Sequence, residues 1–202
     1  MSFGSRIKSL TGVDITDSTI KGYINDWLAE GAKELINILP NDCLWNVTTN
    51  TNLTSSAGSS LTNCKIVDVQ RTFNGFDYAC RKESGSARGR LKANSGYMEE
   101  ASKPDPAFYN LNGKLYIEPD PSSTEGGKIS YVSFPTATLG ESTYTGFPDE
   151  IEHLVVLYAS IKAAEYQLQN DQDTEVRAPV IQTLKDDYKL GLQAFLGGGN
   201  EG

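Results

Sequence analysis

His153 is the only histidine in the 202 residues, and acid–base or metal chemistry would have to begin there. Asp149, Glu150 and Glu152 stand beside it in sequence. A histidine-based metal site needs further ligands within reach, and a nucleophile triad needs a serine or cysteine with an oriented base. The chain holds no G-x-S-x-G, no H-E-x-x-H and no G-x-x-x-x-G-K-[ST], so His153 reads as a surface or interface residue. Asp171-Gln-Asp173-Thr-Glu175 alternates carboxylates as a calcium loop does. It then places Val176 where the loop needs glycine and Gln182 where it needs a bidentate glutamate, so it reads as a solvated interhelical turn. Glu99-Glu100 and Asp186-Asp187 are adjacent in sequence and point in different directions on a helix or strand, so they give no argument for a glycosidase-like opposed pair and read as exposed. Cys43, Cys64 and Cys80 are odd in number, widely spaced and without C-x-x-C, the pattern of reduced thiols and not of a zinc site or a disulfide framework. No catalytic, cofactor-binding or metal-binding set is expected.

The charged groups that remain point to contacts. Arg81, Lys82, Arg88, Arg90 and Lys92 form the one basic island in a chain of formal charge -8. In a lone monomer such an island is an exposed loop. In a subunit of an assembly it would meet an acidic neighbour, where charge sets register and encounter rate more than affinity. The acidic balance argues against a tight grip on nucleic acid, which requires clustered Lys and Arg to displace counterions. The aromatics of the middle region, Phe73, Phe76, Tyr78, Phe108, Tyr109, Tyr116 and Tyr131, lack the basic interleaving of a base-stacking platform. No apolar run approaches the ~20 residues that cross a bilayer, and the start lacks the apolar stretch of a signal peptide.

The elements that must carry these groups are legible from period. Ile20, Tyr23, Ile24, Trp27, Leu28, Ala32, Leu35, Ile36 and Leu39 fall at steps of three and four, which predicts an amphipathic helix from Thr16 or Asp17 to Leu39, stopped by Pro40. From Leu44 to Phe134 the signal changes to short β-branched and aromatic runs, with strands expected at 44–49, 65–73, 76–81, 108–111, 114–118 and 128–134. Asn74-Gly75 and Asn112-Gly113 sit between strand runs as type I′ hairpin turns, so the sheet is expected to be antiparallel. Residues 55–62 and 84–95 read as polar loops, the second with room for a helical turn. Phe147-Pro-Asp-Glu opens a third-region helix whose stripe includes Ile151, Leu154 and Tyr158, apolar over so much of its girth that neighbours must cover it. After a polar turn at 170–174, a last helix carries Val180, Ile181, Leu184, Tyr188, Leu192 and Phe195, with Pro179 in its first turn or kinking it.

The expected fold class is α+β: a helical bundle from the N-terminal helix and two C-terminal helices, with an inserted antiparallel β-rich region. The domains are then 1–43 with 135–196, an insert at 44–134, and a flexible tail at 197–202.

This order resembles the head-to-tail connector (adaptor) proteins of tailed bacteriophages. The likeness rests on Ile15–Pro40, on Asn112-Gly-Lys-Leu-Tyr-Ile-Glu-Pro119, and on the Phe147–Gln167 helix with its acidic, proline-bearing start. The tail tubular proteins A of short-tailed phages share the order. The resemblance implies a structural, non-enzymatic virion subunit made in the host cytoplasm and placed at the head–tail junction. It further implies a ring of about twelve copies with closing, heterologous interfaces. Its partners would be itself, the portal protein, a tail or nozzle protein, and viral DNA passing through the channel without tight binding. A tail terminator or completion protein, or a small non-enzymatic phage binding module, is the alternative. The candidate assembly contacts are Arg81, Lys82, Arg88, Arg90, Lys92, Ile151, Leu154, Tyr158 and Phe195.

Overall fold

The computed structural model describes residues 1–92, 95–170 and 174–197, and its fold is α+β. The chain divides into two compact units, 1–40 with 134–202 and 41–133. The expected tail at 197–202 lies outside the described residues from 198 onward, as does most of the expected turn at 170–174 with the calcium-like stretch.

The first unit is helical. Helix α1 (Phe3–Thr11) was not expected from period, because only Phe3 and Ile7 anchor its nine residues. Ser2 caps it by accepting from the Ser5 N–H, and Gly12 closes it at φ 69°, its N–H donating to the Lys8 carbonyl. Helix α2 (Ser18–Ile38) follows the predicted span closely. The Asp17 carboxylate accepts from the N–H groups of Thr19 and Ile20 at 2.7 and 3.1 Å, and Leu39 turns extended before Pro40. The short α3 (Arg88–Leu91) belongs to the second unit; in the first, a 3₁₀ turn at Asp149–Ile151 leads into α4 (Glu152–Asn170), and α5 (Thr174–Gly197) follows it. Pro179 lies inside α5, beyond its first turn.

Helix α4 packs on α1, α2 and α5. Val155, Val156, Ala159, Ala163 and Ala164 are buried along it, which accounts for its wide apolar girth within the chain itself. Two glycines allow the close approach: a Cβ on Gly31 would lie 2.8 Å from the Tyr158 ring, and one on Gly191 would lie 2.6 Å from Leu154 Cδ2. Arg6 binds Glu152 at 2.8 Å, tying α1 to the start of α4. The Tyr144 hydroxyl donates to the Leu28 carbonyl at 2.9 Å and pins the 134–148 connection onto α2.

The second unit is built from strands β1 (Thr49–Leu53), β2 (Ser59–Ser60), β3 (Cys64–Phe73), β4 (Phe76–Ala79), β5 (Arg81–Glu83), β6 (Ala107–Leu111), β7 (Lys114–Glu118) and β8 (Gly127–Ser133), with the short helix α3 (Arg88–Leu91). They form two sheets, β1-β8-β3-β4 and β2-β7-β6-β5. All pairs are antiparallel except β5 with β6, a departure from the expected all-antiparallel sheet. Its cause is the continuous segment 76–83, which pairs with β3 first and then leaves to lie beside β6. The Cys80 N–H still donates to the Val69 carbonyl, and the Arg81 N–H donates to that of Pro106. Both hairpin turns take the predicted form, with Asn74 and Asn112 at φ 53° and 52°. The expected strand at 44–49 is a 3₁₀ helix, Asn41–Val47, with Leu44 buried; pairing with β8 begins only at Thr49.

Leu53, Val69 and Ile129 of one sheet pack against Phe108, Leu115 and Ile117 of the other as the main core of this unit. A second cluster, Ala87, Leu91, Ala101, Ala107 and Tyr109, fastens α3 and the 95–106 connection to β6. Arg71 is 1% exposed and staples the β7–β8 connection, donating to the carbonyls of Pro119 and Asp120.

Candidate assembly surface

The basic island lies on β5, on α3 and at the C-cap of α3, and the fold divides it. Arg81 is committed internally: Nη2 donates to the Glu99 carbonyl at 2.6 Å, and the guanidinium lies 3.8 and 3.7 Å from the carboxylates of Glu83 and Asp105. Arg90 reaches Glu99 at 3.7 Å. Lys82 is exposed and lines a cavity of about 570 Å³ with Cys64, Ile66, Phe108 and Asn110. Arg88 and Lys92 are exposed on the wall of a second cavity of about 570 Å³, and neither has an ion pair among the described residues.

The interior of that second cavity is unlike its rim. Tyr109 and Tyr116 stack with ring centroids 5.4 Å apart. The Tyr109 hydroxyl donates to Glu118 Oε1 at 3.3 Å, and Glu118 is 5% exposed. Burial raises the Glu118 carboxyl above the usual glutamate range, and the Asp120 charge adds to this, while Lys92 and Arg71 pull it back. Tyr109 is pushed up to about 12, first by burial and then by the Glu118 charge. A free small anion entering past Arg88 and Lys92 would meet Glu118 and Asp120, so the cavity as a whole is no anion pocket.

The four candidates on the helical unit fare differently. Ile151 and Leu154 are each 1% exposed, so they fill the core of their own unit and offer no surface to a partner. Reading the helix stripe as assembly contact is therefore corrected for these two: α1, α2 and α5 already cover it. Tyr158 is half-buried between Gly31 and Tyr188, with Lys162 over its ring at 5.6 Å. Phe195 is half-buried on α5.

Two residues that the period placed on apolar stripes of this unit, Tyr23 and Val180, reach solvent. Tyr23, counted with the core face of α2, is 41% exposed, and with half-buried Trp27 and Tyr166 it forms an aromatic cluster, ring centroids 5.3 to 6.1 Å apart. Asp26 and Glu30, one turn apart beside it, are exposed and have no ion pair among the described residues. The period carried no signal for this: nine apolar positions over residues 20–39 make an ordinary helical stripe, and packing decides which of them stays outside.

Of the groups considered for chemistry, His153 belongs to the helical unit and Cys80 to the β unit. His153 is exposed and its Nδ1 lies 3.1 Å from the Glu150 carbonyl, a contact within its own helix turn. Burial pushes the Cys80 thiol up to about 12, which keeps it neutral and unreactive. Among the described residues no group of three His, Cys, Asp or Glu side chains converges as a metal site, and no helix is long and apolar enough to cross a membrane.

Charge is partitioned between the units. The helical unit carries 16 acidic and 8 basic residues, and the β unit carries 10 of each, so the entire net charge of -8 belongs to the helical unit. No protein-family model matches the chain, and no curated protein matches it.

Proposed function

We propose that this chain is a structural subunit of the neck of a tailed bacteriophage, a ring-forming adaptor between the portal and the tail that leaves a channel for DNA. The partition of charge is the observation that carries the reading. A subunit whose helical unit holds all the excess negative charge can line a DNA path with carboxylates, while a neutral β unit meets neighbouring proteins. Phosphates repelled from such a wall slide without sticking, because no counterion release rewards contact. At physiological salt the repulsion extends only about 8 Å from the wall, which suits a passage and does not oppose assembly at a distance. The role needs no catalytic step, cofactor or metal. Other supports are the element order and the likeness of the 15–40, 112–119 and 147–167 segments to connector proteins.

The test is sedimentation of the purified chain with and without the portal protein of the same virion. The expected result is a discrete ring, alone or on the portal. A chain that stays monomeric and ignores the portal overturns the proposal.

A further inference from the structure

We infer that copies of this chain join head to tail, the Asp26/Glu30 face of one copy's α2 seating on the Arg88/Lys92 rim of the next copy's β unit. The inference rests on the ring reading above and names the contact that would close the ring.

The rim has cations to give. Arg81 and Arg90 are engaged with Glu83, Asp105 and Glu99, whereas Arg88 and Lys92 have no ion pair among the described residues. Behind them the cavity is lined by Glu118 and Asp120, which disfavours a small free anion; Lys92 offsets part of the Glu118 charge, and both cations stay exposed to a surface that meets them. The occupant must therefore be a large partner presenting carboxylates. A second copy presents them, since its helical unit holds 16 acidic against 8 basic residues.

Within that unit Asp26 and Glu30 match the rim in spacing. They stand four residues apart on α2, about 6 Å along a helix axis. Arg88 and Lys92 are also four apart, at the first residue and the C-cap of α3. Like charges one helical turn apart repel, so each pair is unfavourable alone and each relieves the other when they meet. Beside Asp26, Tyr23 and Trp27 stack at 5.9 Å, the aromatic kind of anchor that protein contacts favour and charge alone does not provide. The two patches are different surfaces of one chain, so the contact is heterologous, and it makes a ring where its rotation closes.

Charge reversal tests the pairing. Two variants, D26K/E30K and R88E/K92E, and the combined D26K/E30K/R88E/K92E chain are compared with wild type by mass photometry and sedimentation velocity, at low and high salt and with portal protein present. Each half-reversal is expected to weaken association by about tenfold or more, because like charges then face each other across the contact. The combined chain should recover most of the loss, and wild-type association should fall as salt rises. Circular dichroism confirms folding, and the neutral variants D26N/E30N and R88Q/K92Q give a graded, smaller loss that no misfolding explains. Rings that form normally in both half-reversals, or a combined chain no better than either half, overturn the interface and leave the ring reading standing. Wild type that never associates, with or without portal, removes the ring reading and the interface with it.

Discussion

Glu118 is a carboxyl held where its charge is unwelcome. Its pKa is raised, first by burial and then by Asp120, while the Tyr109 hydroxyl, Lys92 and Arg71 offset part of the cost. For an acid the sign follows from proton count. Above the ordinary glutamate value of about 4.3 the unfolded chain has lost this proton while the folded chain still holds it, so stability falls as pH rises through the interval up to the raised value. Asp14 and Asp17 have lowered values, held by hydrogen bonds from Thr16 and from Ile20 and Thr19, and they act in the opposite direction at more acid pH. The clean quantity is therefore a difference. Glu118→Gln keeps an oxygen for the Tyr109 hydroxyl and removes the charge. The stability of E118Q minus that of wild type should be small at pH 4 and grow in favour of E118Q by pH 7, as measured by urea unfolding across that range. A difference that stays flat or reverses sign would show that the site holds its charge without strain. Arg71 is the counterpart that stays committed: 1% exposed, it spends its guanidinium on the carbonyls of Pro119 and Asp120. Neither role was legible in the sequence, where Glu118 closes the expected strand 114–118 and Arg71 falls within the expected strand 65–73. The Arg71 charge finds its place only once its partners, forty-eight and forty-nine residues away, are in position, and that of Glu118 only once the sheets bury it.

At the scale of elements, the bounds of α2 were legible because they depend on local chemistry: Asp17 accepts from two orphan N–H groups and Pro40 forbids another turn. The hairpins were legible for the same reason, since Asn-Gly supplies positive φ to both turn positions. Helix α1 was not, because what holds it lies far off in sequence: Gly4 N–H donates to the Leu139 carbonyl and Phe3 N–H to that of Glu141. The passage of 76–83 from one sheet to the other is likewise a matter of tertiary pairing. Two glycines of α2 give a measurable contrast between local propensity and packing. A Cβ at Gly22 would meet nothing within 4 Å, so Gly22→Ala should stabilise by about 0.5–1 kcal/mol through helix propensity alone. A Cβ at Gly31 would lie 2.8 to 3.2 Å from Tyr158 atoms, and overpacking of that kind costs about 1–3 kcal/mol, so Gly31→Ala should be net destabilising. Denaturant midpoints of the two variants should move in opposite directions. If both move up, α2 and α4 have room to separate, and Gly31 does not set their distance.

For the whole molecule, the interruption of a helical unit by a β unit makes a prediction about independence. Residues 41–133 are contiguous and enclose two buried clusters of their own, one between the sheets and one under α3. The helical unit, by contrast, is assembled from both ends of the chain. That the middle differs from its flanks was plain from the change of period near Leu44 and Phe134. The partition of charge was countable but had no meaning until the units were drawn, and which cations of the island were already engaged depended on Glu99 and Asp105 folding back onto them. A fragment of 41–133 should therefore fold alone. Domains of this size hold roughly 0.05–0.15 kcal/mol per residue, about 5–14 kcal/mol here, enough for a cooperative transition. Circular dichroism and thermal unfolding of the fragment measure it: a single sigmoidal melt with strand signal is the expected outcome. A fragment that stays unfolded would mean that the β unit draws its stability from the helical one. With a net charge of zero against -8 for the full chain, the fragment should also elute earlier in salt from an anion exchanger, which reports directly that the acidic excess lies elsewhere.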